Sequence, residues 1–411
     1  MTSNAQEFAN PFRPGAGHAP PYLAGREEEV REFERLLGQN TILENLVLTG
    51  LRGVGKTVLL DTFKPLAQRS DWLWVGTDLS ESTSLTEETI AVRLLTDLAT
   101  VTSGLIIKKS ERQAIGFGST PTRETVRLDY SVLVRVYETT PGLVADKLKA
   151  VLELAWSVLN AQRPDAQAGV QGLIFAYDEA QNLADHAAKS QYPLSLLLDV
   201  FQSLQKKGVR FLLVLTGLPT LFPKLVDART FAERMFRVVF LKKLGEPDSR
   251  EAILRPISVS GCPVNLDEPS VKLIVQQSGG YPYFIQFICR EVFDAFLAGM
   301  RTTGKYGAVP IDPITRKLDS DFFSGRWARV TDRQRDLLLI IAQLKRSDDE
   351  FTVQEVVEGS RLGPAKAFGS SHVNQMLVAL SNSGLVYKNR HGKYSFAVPL
   401  FGRFVLRQMA P

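Results

Sequence analysis

Cysteine is nearly absent: Cys262 and Cys289 are the only two in 411 residues. They are far from any C-x-x-C spacing, which argues against zinc and against a disulfide framework and favours a reducing compartment. Histidine is almost as scarce. His18, His186, His372 and His391 form no metal-ligating spacing, and none pairs with an evident nucleophile. No run reaches the roughly 18 uninterrupted apolar residues of a membrane span. The nearest, 211–222, is broken by Thr216, Gly217, Pro219 and Thr220. The first ten residues are polar and carry no apolar signal core. These absences lead to the expectation of a cytoplasmic protein with no membrane partner. Internal repeats and low-complexity tracts are missing too, which excludes a solenoid.

What is present reads as globular. Hydrophobic residues make up 44% and charged residues 23%, so a large core is available. The length suffices for two or three domains. The net charge of +5 is unevenly placed. From Arg326 onward there are 13 Lys/Arg against 7 Asp/Glu, and from Arg361 seven basic residues and no acid. A basic module at one end suggests a polyanion partner, with an ordinary solubilising surface as the alternative.

The strongest signal is Gly50-Leu51-Arg52-Gly53-Val54-Gly55-Lys56-Thr57, a complete G-x-x-x-x-G-K-[ST] phosphate loop. A short apolar strand at 45–49 precedes it, and Val58 continues into a helical pattern. Gly50, Gly53 and Gly55 let the backbone fold tightly, so that the N–H groups of the loop through Val54 and Val58 face an anion at a helix N-terminus. Lys56 would reach the β- and γ-phosphates of ATP, and the Thr57 hydroxyl would hold Mg²⁺.

The rest of the chain supplies a frame for that loop. Residues 1–25 hold Pro11, Pro14, Pro20 and Pro21 and read as an extended arm. Helical spacing covers 26–37. Further strands are expected at 72–77, 172–179, 210–215 and 237–241, with helices over 85–100, 146–159 and 194–206. Strands alternating with helices predict an α/β fold around a five-stranded parallel sheet. The segment 104–147 is a candidate insertion, with a hairpin as one reading. The predicted organisation is an arm at 1–25, a nucleotide-binding core at 26–244, a small helical lid at 245–305 and a terminal module at 321–411.

Asp178-Glu179 ends the apolar strand that starts at Gly172. In this class of site the first acid supports Mg²⁺ and the second orients a water, so positioning and charge stabilisation suffice for hydrolysis. Thr216 ends the next strand, where it could touch the γ-phosphate; a simple Thr-Gly-x-Pro turn is the competing reading. Arg229, Arg234 and Arg237 lie just before or in the fifth strand. Any of them could be presented across a subunit boundary to stabilise transition-state charge, and Arg234 is favoured.

These pieces together resemble the AAA+ ATPases, in the branch that holds the replication initiators, the ExeA-like ATPases and the STAND-type ATPases. Tyr22-Leu23-Ala24-Gly25-Arg26-Glu27 looks like the box that closes over the adenine, which implies base contacts at Leu23 and Arg26. Asp178-Glu179-Ala180-Gln181 is similar to the family's DEAQ motif. Thr216 matches the sensor position, and Arg234 the arginine finger. Gly279-Gly280-Tyr281-Pro282-Tyr283 falls in the lid and lacks the initiators' arginine sensor. Its Gly-x-Pro turn looks more like STAND ATPases, which implies Pro282 near the base and slow turnover. Residues 331–408 resemble a winged helix-turn-helix, with Lys388, Arg390 and Lys393 on the wing suited to DNA phosphates. The resemblance thus implies ATP and ADP as ligands, a homo-oligomer in the ATP state and double-stranded DNA as a partner. Its alternative is a signalling switch whose terminal module contacts protein.

Overall fold

The computed structural model describes residues 8–15, 17–112, 122–161, 169–262, 264–345, 349–362, 367–390 and 392–408. Nine strands occur among them: β1 (Asn45–Gly50), β2 (Trp72–Val75), β3 (Ile106–Arg112), β4 (Thr122–Arg127), β5 (Gly172–Tyr177), β6 (Phe211–Gly217), β7 (Phe236–Leu241), β8 (Val386–Arg390) and β9 (Lys393–Phe396). The chain divides into two compact units. One comprises 1–26, 50–58 and 241–411; the other comprises 27–49 and 59–240.

The second unit is built on a five-stranded parallel sheet in the order β2-β5-β6-β1-β7. Every residue of β1, β5 and β6 is buried. That is why these segments read as unbroken apolar runs: helices on both faces leave no side of the strand in water. Phe175 of β5 meets Phe201 of the helix Pro193–Lys206 and Phe211 of β6 edge-on, at 5.1 and 5.5 Å between ring centroids. Buried Asn45 pins the sheet's start. Its Oδ1 accepts the Leu213 amide at 2.8 Å, and Gln205 Nε2 donates to the same oxygen at 2.8 Å.

Within the predicted insertion, β3 and β4 pair antiparallel as the hairpin reading expected; residues 113–121 lie outside the described residues. The helix Tyr130–Thr139 that follows was not legible in sequence. It is opened by Asp129, whose carboxylate accepts the Val132 amide.

In the first unit the helices Glu246–Ser260, Glu268–Ser278 and Pro282–Thr303 form the expected small cluster. Each of the three has proline in its first turn or an αL glycine after its end, the usual asymmetry of helix punctuation. Cys289 is buried here, and burial pushes its thiol far above the usual range, so it behaves as a small apolar side chain. The terminal segment then orders the helices Asp332–Gln343, Val353–Ser360 and Ser370–Asn382, the antiparallel pair β8–β9, and the helix Phe401–Gln408. Capping boxes at Thr331 and Thr352 start the first two. Lid and terminal helices share one apolar core. Phe323, between them, lies 5.2 Å from the Phe404 ring.

Gly76, just after β2, tests the tightness of the sheet. Its φ is +132°, and a Cβ there would sit 1.7 Å from the Ala176 carbonyl oxygen. Gly76→Ala should therefore destabilise the protein by about 3 kcal/mol, from backbone displacement and strain. A urea unfolding midpoint equal to that of the parent would contradict this packing.

Candidate nucleotide-binding site

The phosphate loop is a stretch of backbone in which side chains are excluded by geometry. A Cβ on Gly50 would lie 2.6 Å from the Leu241 carbonyl oxygen. Gly53 and Gly55 have φ of +77° and +91°, in the left-handed region that favours glycine. Val54 between them is buried. The helix Lys56–Arg69 starts at the loop's last lysine, so the amides of its first turn continue directly from the loop. Lys56 Nζ donates to the carbonyls of Gly50 and Leu51, at 3.0 Å each. The ammonium thus folds back over its own loop. Thr57 and Val58 are half-buried.

Two neighbours fasten this loop within the same unit. Arg26, only 6% exposed, donates from Nη2 to the carbonyls of Val54 at 3.0 Å and Lys242 at 2.9 Å. Sequence assigns Arg26 to the base; in the structure its visible work is to hold the loop's backbone. Leu23 is half-buried. Pro282 is the first residue of its lid helix, and the next amide, that of Tyr283, donates to the Gly53 carbonyl at 3.1 Å. Sequence reasoning passed over Tyr283, because a main-chain contact leaves no mark in residue type.

The acids and Thr216 belong to the other unit. Asp178 follows β5 and is 4% exposed; its Oδ1 accepts the Glu179 amide at 2.7 Å. Glu179 is exposed, and its φ of +51° lies in the left-handed region. For a residue with a Cβ that backbone costs about 1–2 kcal/mol, and such strain gathers at functional turns. Gln181 Nε2 donates to the Glu179 carboxylate. Thr216 on β6 is fully buried opposite Leu48 of β1, and among the described residues its Oγ1 has no hydrogen-bond partner. Thr49 Oγ1 is in the same condition. Thr49 is one residue beyond the Leu48–Thr216 pair and so points to the other face of the sheet; the Thr216 hydroxyl alone, near the end of β6, suits a site that receives a polar ligand. Asp61, in the helix that follows the phosphate loop, has its carboxyl raised by burial; Lys64 counteracts this and Asp78 adds to it.

The structure separates the three candidate arginines. Arg229 makes a two-pronged pair with Asp199, at 2.9 and 2.6 Å. Arg237 pairs with Glu32 at 3.1 Å. Arg234, in the short helix Ala232–Met235, is exposed and makes no ion pair among the described residues. In the terminal module Lys388 is exposed and Lys393 half-buried, again without a carboxylate partner among the described residues; the Arg390 side chain lies outside them. The helix Ser370–Asn382 buries Val373, Met376, Leu377 and Leu380 and exposes His372, Asn374 and Gln375. Two of the seven cations after residue 360 are engaged elsewhere: Arg403 donates to the Gln276 carbonyl, and Arg407 pairs with Asp319.

Among the described residues no group of three or more His, Cys, Asp or Glu side chains could by itself hold a metal ion. No described helix is long and apolar enough to cross a membrane.

A glycine loop opening a helix after a buried parallel strand, with acids ending a strand of the same sheet, defines a P-loop nucleotide-binding protein. The comparisons narrow the class. Residues 22–226 match the AAA ATPase domain family, so the chain carries an AAA+ ATPase domain, a nucleotide-binding fold. Residues 320–405 match a domain of unknown function. Among solved structures, a Walker-type ATPase of Pyrococcus abyssi is similar at 17% identity and a TM-score of 0.57, covering 93% of this chain and 96% of that one. The Aeropyrum pernix ORC2 protein in its ADP form is similar at 14% identity and a TM-score of 0.53, covering 97% of this chain and 98% of that one. The same protein with ADPNP and ADP gives 13% identity and a TM-score of 0.50, with the same coverage. No curated protein sequence matches the chain.

The orphaned hydroxyl of Thr216 yields a stability prediction. Thr216→Val keeps the shape and removes a buried group without a partner, so unfolding free energy should hold or rise by about 1 kcal/mol. Chemical denaturation checks this; a loss of similar size would mean the hydroxyl is already satisfied.

Proposed function

We propose that this protein binds ATP with Mg²⁺, hydrolyses it slowly, assembles as a homo-oligomer in the ATP state and holds double-stranded DNA through its terminal module. The observation that carries the reading is the phosphate loop, whose glycines occupy positions a side chain cannot and whose last lysine opens a helix. The amides from Gly50 to Val58 cradle the phosphates. Lys56 exchanges the carbonyls of Gly50 and Leu51 for phosphate oxygens. The Thr57 hydroxyl and the Asp178 carboxylate hold Mg²⁺, which would neutralise phosphate charge. Glu179 orients the attacking water, and Thr216 donates its unpaired hydroxyl to the γ-phosphate. Leu23 and Pro282 border the base, with Arg26 fastening the loop beside them. The ORC2 neighbour's ADP and ADPNP complexes support a nucleotide-dependent protein of this fold.

Arg234 acts in trans, supported by its being the one cation of the three without a carboxylate partner among the described residues. The test mixes Arg234→Ala with Lys56→Ala protein. Each alone should be nearly inactive, and the mixture should exceed the sum of the two, because some interfaces combine an intact loop with an intact arginine. A monomer with full activity contradicts the assignment.

DNA binding rests on Lys388, Arg390 and Lys393 of β8 and β9, a ladder whose described cations are unpaired. Neutralising all three should weaken duplex binding about equally across unrelated sequences. The log–log salt slope should fall by up to about three units, one for each phosphate that is no longer neutralised. An unchanged slope rules out this surface. A second reading, a STAND-type switch whose terminal module meets protein, is favoured by one observation: that module shares a core with the lid. Absence of DNA binding in every nucleotide state would decide for it.

A further inference from the structure

We propose that Gln181 is the positioning residue for Glu179, and that the backbone at the end of β6 sets its direction. The proposal rests on the reading of Glu179 as the water-orienting acid. Glu179 stands exposed on a left-handed turn, and among the described residues one side chain donates to its carboxylate: Gln181, through Nε2. The far side of the same amide is fixed. Gln181 Oε1 accepts the Leu218 amide at 3.1 Å. A backbone N–H can only donate, so the carbonyl end of the glutamine must face Leu218. That leaves the NH₂ end for Glu179, which as a carboxylate can only accept. The amide therefore has one satisfying orientation, set by β6.

Two more contacts hold the turn that carries Gln181. The Gln181 carbonyl accepts from Lys224 Nζ at 2.6 Å, in the helix Leu221–Ala228. Burial lowers the pKa of that ammonium. The Asn182 amide donates to the Glu179 carbonyl at 2.9 Å, closing the turn. Gly217 makes the approach of the glutamine feasible: a Cβ there would stand 2.7 Å from Gln181 Oε1. Leu218, the donor, lies two residues beyond Thr216. A shift of the β6 terminus at Thr216 therefore reaches the Glu179 carboxylate through one amide plane and two hydrogen bonds.

The test uses the full chain. Gln181→Met keeps length and removes both hydrogen-bonding ends. It should lower kcat about tenfold, the scale of a mispositioned general base, while KM and calorimetric affinity for ATP stay within about twofold. Hydrogen exchange at the Leu218 amide should quicken severalfold, a readout independent of turnover. In a Glu179→Gln background the same substitution should lower kcat no further, because residues acting as a unit are non-additive. Gly217→Ala leaves Gln181 in place but displaces its oxygen, and should reproduce the kcat loss. Wild-type kcat in both Gln181→Met and Gly217→Ala overturns the proposal, as does an undiminished kcat loss in the Glu179→Gln background. A Glu179→Gln protein that hydrolyses ATP at the wild-type rate overturns instead the role given to Glu179, and this proposal with it.

Discussion

The candidate site depends on the parallel hydrogen-bond register of β1, β6 and β5. Leu48 lies against Thr216, and Tyr177 against Leu215. Because the strands run the same way, their C-terminal ends emerge on one edge of the sheet. Gly50 ends β1, Tyr177 ends β5 and Gly217 ends β6. The phosphate loop, the two acids and Thr216 are the residues that follow or close these strands. A slip of one residue would turn each side chain to the opposite face. Buried Asn45, tied to Leu213 and Gln205, guards against that slip at the other end.

The unit containing the loop has a different logic. Its lid and terminal helices form one core, and polar contacts reinforce it: Arg403 to the Gln276 carbonyl, Arg407 to Asp319. Leu400 takes a left-handed φ of +60° while lying against Gly279, where a Cβ would meet its side chain at 3.0 Å. A branched residue in that region stores strain of about 1–3 kcal/mol that only its surroundings maintain. In the same unit the Gly53 carbonyl accepts from Tyr283, whose ring lies 5.1 Å from that of Phe322. Loop, lid and terminal module are thus joined by short-range contacts within one unit.

Local chemistry was legible in the sequence, and partners were not. The phosphate loop and the strand ending at Asp178-Glu179 follow from glycine spacing and apolar runs. The same pattern reading missed the helix Leu221–Ala228, where Pro223 within the element argues against a helix. The start of β8 at Val386 was not legible either; it follows Gly384, which takes a left-handed turn. A charge count from Arg361 onward made seven cations equal, although Arg403 and Arg407 are tied to acceptors far away in sequence. Likewise, the ion pairs of Arg229 and Arg237 set those two apart from Arg234, which the sequence already favoured, and only the Leu218 amide contact shows how the Gln181 side chain is turned. Most of these misses are contacts between residues distant along the chain, which composition and spacing do not encode.

The central proposal is that the phosphate loop, with its glycines, Lys56 and Thr57, binds ATP together with Mg²⁺. Calorimetric titration of the unmodified protein with ATP, with Mg²⁺ and then with excess chelator, tests it most directly. The account predicts one ATP per chain, bound at least about tenfold more tightly with the metal, and displaced by ADP. No heat of binding, or equal affinity with and without Mg²⁺, would contradict it.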